Sequence, residues 1–354
     1  DCACAFTVMG YPVMSQHYLL PPKMKDKAGN PRRAGFEFEF GNLPIADTAR
    51  ALQEALGGEL ELRSPFEAVL SHSSLGQLTV ERDADLLKSV RYRRWLETLG
   101  VEFSPGTLAH EIETNIDNAS RMLIPCEVVT QPIAFRRLEK LDSLVKTLDG
   151  LGAEGTQQSF IYAFGLHINI SIPDDSAETL RNYLQAFLLL HAWIIDASSI
   201  DITRRFFTKY IDPFPQRYLE LLLDNRYAPD TAGLITDYLE HNPTRNRALD
   251  MLPIFCELDR EKVFAAVNPD ERKLVKGRPA FHYRLPDCKV NVPGWSVAEP
   301  WNQWIYVEKV ACDDALRKEL IDAWRISTRK MSITPGAAWV ARLTTILSQK
   351  YFAS

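Results

Sequence analysis

Residues 34–40 read Ala34-Gly35-Phe36-Glu37-Phe38-Glu39-Phe40. Aromatics and carboxylates alternate without a break, and a period of two is what a β-strand with one buried face requires. Phe36, Phe38 and Phe40 are therefore expected to point into a core. Glu37 and Glu39 then share the opposite face, roughly 6.5–7 Å apart at the usual rise per residue. Neighbouring carboxylates repel unless water, arginine or a divalent cation compensates them. Taken alone, such a pair is most often a solvated sheet face, so the rest of the chain has to decide.

Three later segments repeat the pattern with other polar groups. In Gly165-Leu166-His167-Ile168-Asn169-Ile170-Ser171, Leu166, Ile168 and Ile170 take one side and His167, Asn169 and Ser171 the other. Phe281-His282-Tyr283-Arg284 offers His282 and Arg284, and Glu127 interrupts the β-branched run Cys126-Glu127-Val128-Val129-Thr130. If these strands share a sheet, one face is apolar and the other gathers acids, histidines, an amide and an arginine. No lysine occurs in these polar sets, whereas a merely wet face would favour Lys, Thr and Gln. The inventory suits a hard divalent cation carrying a phosphate, with carboxylates for the ion and arginine for the phosphoryl oxygens.

These segments resemble the amidoligases, a bacterial branch of the carboxylate–amine ligase superfamily that includes glutamine synthetase and glutamate–cysteine ligase. Gly35-Phe36-Glu37-Phe38-Glu39 is similar to the family's Gly-x-Glu-x-Glu strand. Glu127-Val128-Val129-Thr130-Gln131-Pro132 is similar to its Glu-hydrophobic-x-Ser/Thr-x-Pro segment, and Gly165-Leu166-His167-Ile168-Asn169 to its Gly-x-His-x-(Asn/His) strand. The stretches from Asn242 to Pro253 and from Arg278 to Cys288 complete the series, so the resemblance covers most of residues 33–312.

The resemblance implies an ATP-dependent ligase that phosphorylates a carboxylate and lets an amine or ammonia displace the phosphate. Phosphoryl transfer is mostly positioning and charge neutralisation. By carry-over, Glu37, Glu39, Glu127 and His167 are expected to bind Mg²⁺, or Mn²⁺ in its place. Arg245, Arg247 and Arg284 are expected to hold phosphate or the substrate carboxylate, and Asn169, Arg278 and His282 to line the nucleotide. The acid expected as partner is a small molecule or a peptide. One departure stands out: the better-known ligases carry Glu-x-Arg where this chain has His282-Tyr283-Arg284. That swap changes the local charge by one unit and bears on which metal is held. Two other readings use the same residues: a metal-dependent hydrolase that activates water, and a non-catalytic binding module derived from the ligase fold.

Other polar residues have plainer explanations. Asn242-Pro243-Thr244 reads as a helix start with Arg245 and Arg247 in a solvated first turn, although cations there oppose the helix dipole. Glu81, in Leu78-Thr79-Val80-Glu81-Arg82-Asp83, reads better as the charged end of a strand than as a site residue. Arg204 and Arg205 fit the C-terminal end of the preceding helix, and His72, His110, His191 and His241 stand alone. No phosphate-cradling glycine loop, HExxH or GxSxG motif occurs.

The chain has 354 residues, 46% hydrophobic and 25% charged, with a formal net charge of −5. This is ordinary globular composition, and the acidic balance argues against a nucleic-acid partner. Lys23, Lys25, Lys27, Arg32 and Arg33 form a basic patch in a polar leader. The six cysteines lack the paired spacing of a zinc site, which favours reduced thiols in the cytoplasm. Tyr183–Ile195 is too short an apolar run to span a bilayer. Residues 1–13 look unlike the rest of the chain, and Met14 is the expected natural start. The expected fold is α+β: a curved, mainly antiparallel sheet of the glutamine synthetase catalytic type with one polar face. A flexible leader would run to residue 33, and a single domain over 34–350 would carry a helical insert at about 177–250 and a helical C-terminus. Helices are expected at 46–56, with Asp47-Thr48 as the cap, and at 135–148, 177–199, 215–223, 234–240, 314–329 and 336–349.

Overall fold

The computed structural model describes residues 17–82, 125–155, 164–198, 211–330 and 336–352. Residues 1–13, Met14, His110, Arg204 and Arg205 lie outside them. The chain opens with strand β1 (Arg33–Phe40), helix α1 (Ile45–Leu56) and strands β2 (Glu59–Ser64), β3 (Glu67–Ser73) and β4 (Gly76–Arg82). Strands β5 (Cys126–Thr130) and β6 (Ile133–Ala134) follow, then a 3-10 turn (Phe135–Lys140) running into α2 (Leu141–Gly150), and β7 (Leu166–Ser171). Helices α3 (Ala177–Ala197), α4 (Gln216–Leu222) and α5 (Thr231–His241) lead to the short strand β8 (Leu249–Asp250). Helices α6 (Leu252–Leu258), α7 (Arg260–Ala266) and α8 (Pro269–Leu274) precede β9 (Ala280–Tyr283), and α9 (Ala298–Ala311), α10 (Asp314–Lys330) and α11 (Ala337–Leu347) follow, the last running into a π-helical turn (Ser348–Phe352).

The fold is α+β around one open sheet ordered β2-β3-β4-β5-β1-β7-β9-β8, with β6 also pairing β1. Every pairing among the described strands is antiparallel. β1 sits inside the sheet, and the burial of its residues alternates as its sequence does: Phe36, Phe38 and Phe40 are fully buried while Glu37 and Glu39 are partly open. Helices cover the apolar face. Tyr183 of α3 stacks on Phe281 with ring centroids 4.8 Å apart, and Trp301 and Trp304 of α9 pack on Phe36 and Tyr283.

Several local expectations differ from what is seen. β3 has no alternation to betray it, because Ala68-Val69-Leu70 is a continuous buried run. α1 starts at Ile45 after Pro44; Asp47 lies in its first turn and Thr48 donates its hydroxyl back to Pro44 O, so neither residue is the cap. Asn242 ends α5 rather than starting a helix, and residues 243–248 form a loop into β8. The helical block after β7 runs on to Leu274 and is interrupted by β8, beyond the boundary expected near residue 250.

The leader is not loose over its described part. Asn302 of α9 accepts from Leu19 N and donates to His17 O, and Trp301 donates its indole N–H to Leu19 O. Arg32, grouped by sequence with the leader's basic patch, is buried. Its Nη1 and Nη2 reach the two oxygens of Glu308 at 2.8 and 2.7 Å, and Nε reaches Ser171 O at 2.8 Å. Tyr183 and Trp304 donate to the same carboxylate. Both charges are fully buried, so each is tolerated only because the other is present.

Replacing Glu308 by Ala would strand the guanidinium and two aromatic donors. We expect a loss of about 3–5 kcal/mol, the usual cost of orphaning a buried charge, read by urea denaturation. A loss below about 1 kcal/mol, the size of a surface pair, would contradict this account.

Candidate functional site

The strand pairings decide which polar side chains meet. Directly opposed residues of antiparallel strands point to the same face. Glu37 is opposite His167 on β7, and Asn169 is opposite His282 on β9, which is opposite Asp250 on β8. A second row carries only acids: Glu67, Glu81, Glu127 and Glu39 face one another across β3, β4, β5 and β1. Glu81, next to the last residue of β4, is thus both at the charged end of its strand and part of this row.

The first group closes into a tight cluster. His167 Nδ1 lies 3.2 Å from Glu37 Oε2, and Asn169 Nδ2 donates to Glu37 Oε1 at 2.6 Å. His167 Nε2 lies 3.7 Å from Glu39 Oε1, and Glu39 Oε2 accepts from Gly165 N at 2.6 Å. His282 Nε2 is 3.9 Å from Glu37 Oε2, while its Nδ1 is 3.4 Å from Asp250 Oδ2. One ligand atom each from Glu37, His167 and His282 lie within 4.8 Å of one another. Glu127 faces Glu39 in the adjoining acid row, outside this trio.

The charges in this cluster are set by its surroundings. Burial would raise the Glu37 carboxyl, but the hydrogen bond from His167 and the neighbouring His282 and Arg278 side chains outweigh it and hold the group well below the usual range. Burial also drives His282 down to about 4, against the pull of Asp250 and Glu37, so its ring is neutral near pH 7. Asp250 is fully buried, and although burial would raise it, His282, Arg245 and Arg284 hold it below its ordinary value. An ionised Asp250 can only accept, so the His282 proton sits on Nδ1 and the lone pair on Nε2. That Nε2 is buried and has no partner among the described residues.

Arginines stand beside the same cluster. Arg278 donates to Asn169 Oδ1 at 2.6 Å, Arg284 donates through Nη1 to Arg245 O, and Arg245 Nε lies 3.7 Å from Asp250 Oδ2. The buried Nε atoms of Arg245, Arg278 and Arg284 have no hydrogen-bond partner among the described residues. Burial, with Arg245 beside it, pulls the Arg284 guanidinium below its ordinary value. Each of the three thus keeps one donor unspent.

Arg247 is placed differently. It is buried, with Nε donating to Asn242 Oδ1 at 2.8 Å, Nη1 to Pro213 O at 2.9 Å, and its guanidinium 5.6 Å from the Phe214 ring centroid. Those bonds tie down the loop after α5. Asp250 is the residue that the motifs did not reveal. It occurs in the apolar run Ala248-Leu249-Asp250-Met251-Leu252, and a lone acid there was the available signal.

The donor set bears on the metal. Two imidazoles and one carboxylate suit a borderline first-row cation, whereas Mg²⁺ prefers oxygen ligands throughout. The acid row adjoining the cluster offers those oxygens. A cation of either kind has residues that fit it here, and the inner trio fits the borderline kind better.

No helix among the described residues is long and apolar enough to cross a membrane. Comparison with known proteins returns no match among curated proteins and none among solved structures. A family model described as "Putative amidoligase enzyme" matches residues 30–306, which takes in every residue of the cluster and of the acid row. With more than half of its length matched, the chain belongs to the amidoligase family.

Proposed function

We propose that this chain is an ATP-dependent carboxylate–amine ligase working through an acyl phosphate. The observation that carries the reading is the pairing of opposites in one cluster. Glu37, His167 and His282 offer a cation site, and three half-buried arginines beside them carry buried Nε atoms with no partner among the described residues. A nucleotide triphosphate with its divalent cation is a ligand that satisfies both. On this reading, the antiparallel sheet with its polar face is the counterpart of the glutamine synthetase catalytic sheet.

A bound divalent cation would neutralise phosphate charge and orient the γ-phosphoryl toward the acid. Glu37, His167 and His282 would hold it, with Glu39 and Glu127 supplying further oxygens toward Mg²⁺ brought in with ATP. Arg284, Arg245 and Arg278 would take the charge that builds on the transferring phosphoryl oxygens and on the substrate carboxylate. The acid's oxygen attacks the γ-phosphorus, ADP leaves, and the amine nitrogen then attacks the acyl carbon and expels phosphate. Asn169, fixed between Glu37 and Arg278, would hold the cation and anion halves in register. Asp250 would keep His282 in the tautomer that can ligate. Arg247 serves the site by pinning the loop that carries Arg245.

A second reading has one observation in its favour. Two imidazoles and a carboxylate are also a donor set that activates water for hydrolysis. Turnover of an amide or ester without nucleotide would support that reading against the ligase one.

The ligase reading predicts release of ADP and phosphate only when both an acid and an amine are present. Glu39→Gln should abolish that turnover while leaving the melting temperature close to wild type, because the group is partly exposed on the polar face of the sheet rather than packed in the core. Arg284→Ala should lower kcat on the order of 10²-fold, the usual effect of losing one transition-state donor. Wild-type turnover in the Glu39 variant would remove the assignment.

A further inference from the structure

The trio Glu37, His167 and His282 carries a more specific statement about the ion. His282 is 2% exposed and Asp250 is fully buried, so neither can satisfy its polar atoms with bulk water. Asp250 is itself fixed: Oδ1 accepts from Leu252 N at 2.9 Å, and Oδ2 faces both Arg245 and His282. With Oδ2 turned to Nδ1, the imidazole must carry its hydrogen there, since a bare nitrogen would set two lone pairs against each other. The opposite nitrogen is then a lone-pair donor, buried, unpartnered and 3.9 Å from Glu37 Oε2. Such a separation is too long for a hydrogen bond. It falls within the spread of two ligands on one ion, since bonds of about 2.1 Å set trans ligands roughly 4.2 Å apart.

Carboxylate–histidine–cation relays have this form: a buried acid fixes the ring through one nitrogen and leaves the other for the metal. His167 brings a second imidazole, its ring set edge-on to that of His282 with centroids 5.4 Å apart. Nitrogen donors discriminate strongly among cations. Mg²⁺ takes oxygen ligands and dehydrates reluctantly, whereas Mn²⁺, Co²⁺ and Zn²⁺ accept imidazole with rising affinity.

We infer that Glu37, His167 and His282 form a resident site selective for a nitrogen-accepting first-row cation over Mg²⁺, with Asp250 as the positioning residue for His282. This deepens the ligase reading and rests on it for the expectation of a cation at the cluster. Metal binding measured without nucleotide or substrate separates the two.

The full chain, freed of metal by chelator, is titrated calorimetrically with Co²⁺, Mn²⁺ and Mg²⁺ in turn, and the Co²⁺ complex is followed by its visible absorption. The site should take one Co²⁺ or one Mn²⁺ per chain, each more than about tenfold tighter than Mg²⁺. Asp250→Asn should keep that stoichiometry and weaken Co²⁺ about 10–100-fold. His282→Glu should narrow the gap between Co²⁺ and Mg²⁺ and change the Co²⁺ spectrum, since an oxygen replaces a nitrogen. Circular dichroism and thermal melting establish that each variant is folded, and the wild-type comparison decides alone if a variant is not. Mg²⁺ binding as tightly as Co²⁺ and Mn²⁺, or no binding of any of them, overturns the inference. Selective Co²⁺ binding without ADP release for any acid and amine would sink the ligase reading and leave this one standing.

Discussion

Burying three phenylalanines from one side of β1 is the constraint on which the site depends. A strand cannot send Phe36, Phe38 and Phe40 into a core without presenting Glu37 and Glu39 on its other face. A slip of one residue in register would exchange the faces, placing two carboxylates against Trp301 and its neighbours. The packing that makes the sheet stable therefore also fixes where the acids point. The ladders to β5 and β7 carry the same logic across the sheet, so that Glu127, His167 and Asn169 arrive on the face already chosen by β1.

Two buried ionic arrangements then divide the labour. Arg32 and Glu308 compensate each other completely, with Tyr183 and Trp304 filling the carboxylate's remaining acceptor sites, and they lock the leader and α9 to the sheet. On the other face the compensation is incomplete. His282 keeps an unpartnered nitrogen and the three arginines keep unspent Nε atoms. A fold that satisfies one buried charge network so fully and leaves another open places its unmet polar groups where a ligand can meet them. The contrast is what separates the stabilising pair from the proposed binding site.

Much of this was readable in the chain. Period-two alternation locates β1, β7 and β9 and assigns their faces, and the motifs in order lead to the family. Three things were not readable, each for a physical reason. β3 is buried over Ala68, Val69 and Leu70 without alternation, so its pattern does not separate strand from helix. Asp250 gains its meaning only from a two-residue strand whose pairing to β9 sets it opposite His282, and no local signal encodes a contact across 32 residues. Arg245 and Arg247 are chemically alike and two apart in sequence, yet the loop after α5 turns one guanidinium to Asp250 and the other to Asn242 and Pro213. Side-chain direction in a loop depends on tertiary contacts rather than on periodicity.

The most direct test of the account is diffraction from crystals soaked with Mn²⁺ and a non-hydrolysable ATP analogue, recorded so that manganese is located by its anomalous signal. The account predicts manganese bonded to Glu37 and to His282 Nε2, with the terminal phosphates against Arg284, Arg245 and Arg278. Nucleotide bound elsewhere on the molecule, with the polar face of the sheet left to water alone, would contradict it.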